Sequence, residues 1–168
     1  MQTEAWLDGP LSGVPRLLMP AAHALAQSRS DLERHTANLT SEEVWSEPGG
    51  APSVGFHLRH ITGSIDRLLT YTAGRQLTAE QFRDLAGEGV PGEPPPMAAE
   101  LLAAAAAQID RALEVIGGTR DEDLFDGRGV GRARLQTNVF GLLFHIAEHT
   151  QRHVGQIIAT ATVVRGRR

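Results

Sequence analysis

The chain of 168 residues contains no cysteine and no lysine. Without cysteine there can be no disulfide, no Cys₄ zinc site, no iron–sulfur cluster and no cysteine nucleophile. A transition metal would have to be held by His, Asp, Glu or water. All sixteen basic residues are arginine, which removes lysine Schiff-base chemistry and the lysine of a phosphate-binding loop. An excess of positive charge is also missing: the formal net charge is −4, so nothing points to nucleic acid or an anionic membrane surface. No stretch approaches the roughly eighteen uncharged apolar residues of a membrane span. The opening "MQTEAWLDGPLSG" has early acids and no long apolar core, and does not read as a signal peptide. The expectation is a cytoplasmic protein with neither a nucleic-acid nor a membrane partner.

What remains is an ordinary globular composition, 41% hydrophobic and 21% charged, of a length that suits one domain over 1–168. Four segments carry a helical period. The first spans about Val14–Leu39, with prolines near its start and a stripe of Leu17, Leu18, Leu25, Leu32 and Leu39. The second follows "GGAPS", with Ser53 as N-cap and Gly74 as stop. The third covers about Met97–Ile116, and its alanine run suits close helix packing. The fourth runs from about Thr137 to Val164, with Thr137 or Asn138 at its start. A short helical turn is expected at Thr78–Leu85, then an exposed connector, "GEGVPGEPPP". "FDGRGVGRARLQ" reads as a loop or small hairpin; no strand precedes it, so its glycines are a poor match to a nucleotide fingerprint. The fold class is therefore all-α, a four-helix bundle.

Five of the seven histidines fall in two short segments, "HLRH" (57–60) and "HIAEHTQRH" (145–153). On a helical wheel His149 and His153 sit in the middle of the buried face of the fourth helix and His145 towards its edge. Side chains four apart stack about 6 Å apart, so two imidazoles at i and i+4 can meet one ion at about 2.0–2.1 Å. Residues eight apart are separated by roughly 12 Å of rise, so one ion cannot take both His145 and His153. Two stacked imidazoles are harder to read as plain packing than one, because four ring nitrogens then need partners. The pattern is not the H-E-x-x-H of zinc proteases, and the usual general-base carboxylate is missing from its usual place. His57 or His60 would supply a third ligand, and the wheel does not choose between them; Gly63 and Ser64, beside His60, allow close approach of another helix. Glu148 and Arg152 read as a surface pair at i, i+4. Tyr71 and Trp45 are candidate pocket walls with packing the more ordinary role, and His23 and His35 read as surface or packing residues.

"SVGFHLRHITGSIDRLLTYTAG" followed by "HIAEHTQRHVGQI" resembles the DinB family of small helical bundle proteins. In that family's second-helix pattern a serine opens the helix and the histidine follows seven residues later, here Ser53 and His60. The resemblance implies an up-down-down-up bundle with a long crossover, frequent homodimers, and a divalent metal on His60, His149 and His153. Zinc or nickel is foremost, with iron or manganese as further candidates. His57, His145 and Gln156 are then candidates for supporting or pocket-lining positions. The family includes transferases and isomerases that use low-molecular-weight thiols. A metal-dependent transferase or hydrolase is thus one expectation; the other is a non-catalytic, stress-related bundle that binds a metal or small ligand. No catalytic side chain can be named from the sequence.

Overall fold

The computed structural model describes residues 3–166. It is helical apart from one small hairpin. The elements are α1 (Met19–Thr36), α2 (Ser41–Trp45), α3 (Val54–Thr72), α4 (Ala79–Gly87), α5 (Ala98–Gly118), β1 (Gly127–Val130), β2 (Leu135–Asn138) and α6 (Val139–Arg165). No helix among the described residues is long and apolar enough to cross a membrane.

Side-chain caps set the starts of two of the long helices, α3 and α6. Ser53 Oγ accepts from the Phe56 amide at 3.0 Å, and Asn138 Oδ1 accepts from Gly141 at 2.7 Å. Thr78 and Gln81 form a reciprocal capping box at α4. The same device, Thr40 with Glu43, nucleates α2, a five-residue helix that periodicity is too coarse to reveal. The first helix is shorter than its leucine spacing suggests. A 3₁₀ turn at Arg16–Leu18 precedes it, and this tighter winding swings Leu17 to 56% exposure, off the stripe.

Both α5 and α6 pack between α1 and α3, so α1 faces α3 across the bundle and α5 faces α6. Gln151 of α6 donates to the Ala24 carbonyl, and Arg165 to those of His35 and Ala37. Helices α1 and α6 therefore run in the same direction. His57 pairs with His153 and His60 with His149, so α3 opposes α6. Arg29 of α1 meets Asp110 of α5, while Gly117 comes near Gly13, ahead of α1, so α5 runs opposite to α1 and parallel to α3, and the connection between α3 and α5 must travel back along the bundle. Residues 73–97 do this, carrying α4, which docks by polar contacts: Gln81 donates to Asp66 and Thr70 at 2.5 and 2.8 Å.

The core is the shared interior of these helices. Leu25 and Leu32, Leu58, Ile61 and Ile65, Ile109 and Ile116, and Leu143 and Ile157 are fully buried. Of the alanine run, Ala105 is buried while Ala103, Ala104 and Ala107 face solvent, where they contribute helix propensity rather than packing. The glycine-rich segment closes as an antiparallel hairpin, Gly127 opposite Asn138 and Val130 opposite Leu135. Arg128 ties it to the C-terminus of α3 through the Thr72 carbonyl at 2.7 Å. Trp45 packs rather than lining a pocket: its ring lies over Gly55, where a Cβ would fall 2.8 Å from it. Tyr71 is buried at 7% exposure, and His23 fixes the N-terminal loop through the Gly9 carbonyl.

Truncating Leu143 to alanine should remove about 2–5 kcal/mol of stability, read by urea denaturation. A cost below about 1 kcal/mol would show that α6 does not supply the core.

Candidate metal centre

Helix α6 positions His149 and His153 one turn apart, and the antiparallel α3 brings His57 and His60 opposite them. The centre of the buried face of α6 is held by Ile146, Thr150, Val154 and Ile157. His149 and His153 lie on its flank, half-buried, instead of at its centre as the wheel suggests. The stripe is set by the contacts of α6 with both α1 and α3, and the imidazoles meet His57 and His60 on its α3 side. This placement leaves the apolar core intact and keeps the rings near the surface.

His60, His149 and His153 each offer a nitrogen, all within 4.8 Å of one another. His60 Nε2 lies 2.9 Å from His149 Nε2. The ring centroids of His60 and His153 are 4.4 Å apart, and those of His149 and His153 are 4.5 Å apart. Two ligands of a tetrahedral ion at about 2.1 Å are about 3.4 Å apart, so the cluster has the scale of one coordination sphere. His57 stands outside this group of three. It is 4% exposed, its Nδ1 is 2.9 Å from His153 Nδ1, and its Nε2 has no hydrogen-bond partner. It packs against the back of His153. His145 is exposed and engaged with Glu148 at 3.0 Å, its ring 5.3 Å from that of His149. Gln156 is exposed, and no contact joins it to the three imidazoles. Glu148 and Arg152 form the surface pair, at 2.7 Å.

The connector after α4 is not wholly exposed. Glu88, within "GEGVPGEPPP", is 5% exposed and enters the site. Its Oε2 lies 2.6 Å from His60 Nδ1, and its Oε1 accepts from Arg67 Nη1 at 2.8 Å. Room for it comes from Gly63: a Cβ there would fall 2.6 Å from Glu88 Oε1 and 2.5 Å from Arg67 Nη1. What approaches over Gly63 is this ion pair. Arg59 clamps the connector to α3, donating to the carbonyls of Gly87, Val90 and Pro91 and stacking on Trp45. Glu88 also borders a cleft of about 530 Å³ between α3, α4 and α5, whose lining includes none of the histidines. Sequence reading missed Glu88 because an acid among glycines and prolines has no periodicity to mark it.

Electrostatics keep the imidazoles ready to ligate. Burial, then the charge of His60, lowers His57 and His149 to about 4 and His153 to about 3. At neutral pH these three rings are uncharged. For Glu88, burial opposes ionisation, but hydrogen bonds from His60 and Arg67 outweigh it and hold the carboxyl below its ordinary value. His149 Nδ1 is buried without a partner, on a ring whose Nε2 faces His60.

A helical bundle with three converging imidazoles on its second and last long helices defines the class of protein. A family model of the DinB superfamily matches residues 24–157, and the chain belongs to that superfamily. No curated protein matches it.

Stability of the metal-free protein should fall with acidification across the window from about 6.5 to about 4. The unfolded chain takes up protons on these histidines near 6.5, whereas in the fold His57, His149 and His153 resist protonation down to about 4 or 3. The unfolded state therefore binds more protons across that window, and acid favours it. Denaturant melts at pH 7, 6 and 5 test this, and a stability independent of pH would contradict the neutral cluster. Gly63→Ala, by crowding the Glu88–Arg67 pair, should cost about 1–3 kcal/mol in the same assay.

Proposed function

We propose that the protein holds a divalent metal on His60, His149 and His153 and uses it in thiol-dependent transfer or in hydrolysis. The observation that carries this reading is the convergence of three histidine nitrogens within 4.8 Å. The donor set suits zinc or nickel first, then iron or manganese. Three protein ligands leave a position for substrate, as in catalytic sites. A divalent ion there supplies Lewis acidity and lowers the pKa of a water or thiol. The chain's own residues hold and shield that position. Phe56 stacks on His60, with centroids 5.5 Å apart, and His57 backs His153. With no cysteine in the chain, the thiol must be a small molecule. The same reading takes the protein as a cytoplasmic homodimer without a nucleic-acid partner.

A second reading, a non-catalytic bundle that binds a metal or ligand, is favoured by one feature. Glu88, the carboxylate nearest the cluster, is buried with both oxygens engaged, so it offers no free base to a substrate.

Protein purified without a histidine tag should contain close to one metal per chain, and His149→Ala should lose it. Metal content unchanged by that substitution would remove the site. Turnover in a screen of small thiols against electrophiles separates the two readings: stoichiometric metal with no turnover supports the second.

A further inference from the structure

The reading above leaves Glu88 without a task, and its placement is costly. Burying a carboxylate requires partners on its lone pairs. Arg67 engages one oxygen, at 2.8 Å, and that alone would satisfy an ordinary buried ion pair. The second oxygen is committed to His60 Nδ1 at 2.6 Å, the length of a charge-assisted hydrogen bond. Three features hold it there: the Arg59 clamp on residues 87–91, the absent side chain at Gly63, and the guanidinium of Arg67, itself 8% exposed.

We propose that Glu88 is a positioning residue for the metal centre: its carboxylate holds the proton of His60 on Nδ1 and turns the Nε2 lone pair toward His149 and His153. The argument is one of donors and acceptors. An ionised carboxylate only accepts, so the proton between Glu88 and His60 sits on Nδ1. Neutral imidazole has one N–H, so Nε2 is left as the bare donor atom, and it faces His149 Nε2 at 2.9 Å. The other two ligand rings lack such a partner: His149 Nδ1 has none, and His153 Nδ1 meets only the imidazole of His57. His60 is thus the ring whose tautomer and angle are set before any ion arrives. This inference rests on the proposed metal site, and the test keeps the two apart.

Cobalt(II) titration of the untagged, metal-stripped full chain compares wild type with Glu88→Gln, Arg67→Met/Glu88→Leu, which offers His60 no acceptor, and His149→Ala. Glutamine keeps the size of Glu88, but its one carbonyl oxygen cannot serve both Arg67 and His60. Glu88→Gln should weaken cobalt binding by about 10–100-fold. The double variant no longer buries an unpaired guanidinium; its melting temperature should recover towards wild type while its cobalt affinity stays weak. Cobalt affinity that recovers together with melting temperature would reduce Glu88 to an ion-pair partner of Arg67 and overturn the proposal. Wild-type affinity in Glu88→Gln, with binding lost in His149→Ala, overturns the role of Glu88 alone. Wild-type affinity in His149→Ala overturns the metal site and this inference with it.

Discussion

The contact between Glu88 and His60 is the constraint around which the site is arranged. A carboxylate in a dry interior is tolerated only when its charge is matched and its oxygens are engaged. Arg67 supplies the first and shares the second with His60. That requirement reaches outward into the fold. Position 63 must have no side chain. The connector must return over α3, which the parallel course of α3 and α5 already demands, and Arg59 must grip it at three carbonyls. One hydrogen bond thus couples the bundle's long crossover to the orientation of one imidazole.

Stability and chemistry are divided between different faces. The apolar core runs through Leu58, Ile61 and Ile65 and through Leu143, Ile146 and Ile157. The imidazoles flank it. Because they do not replace core leucines, they can remain incompletely hydrogen-bonded without opening a cavity. His57 Nε2 and His149 Nδ1 are both buried and unpartnered, an arrangement that lowers stability and that sequences retain chiefly at functional sites. The local weakness is affordable because the helices around it are capped and packed elsewhere.

Much of this was legible from residue order. Helix periodicity located all four long helices, and the serine and asparagine caps fixed two of their starts. All three histidines of α6 are four apart in turn; the wheel placed His145 at the edge, and the rise over eight residues kept it from sharing an ion with His153. Three things were hidden, each for a physical reason. Helix α2 is a single capped turn, too short to show a period. The wheel placed His149 and His153 at the centre of the buried face, because an isolated helix cannot say which neighbours define that face. Glu88 was read as part of an exposed connector because its burial is decided by Gly63, Arg67 and Arg59, residues far from it in sequence. Geometry also separates His60 from His57, which the wheel could not: only His60 shares the group of nitrogens with His149 and His153.

The charge balance bears on what the proposed site would accept. Glu88 is matched by Arg67, and at the rim Glu148 is matched by Arg152. Ligating imidazoles are neutral, so a divalent ion held on them would keep nearly its full charge, in a half-buried position where screening is weaker than in water. Among the described residues no carboxylate belongs to the ligand set to offset it. An anionic occupant of the open position is then favoured over a neutral one, since it supplies the charge the protein withholds. A thiolate or hydroxide would meet that need, which is consistent with the proposed thiol transfer or hydrolysis. A site that placed a carboxylate directly among the ligands would have spent that attraction on the protein itself. In the proposed site Glu88 stands one imidazole away from the ligand atoms, where it would orient His60 and leave the charge of a bound ion to its occupant.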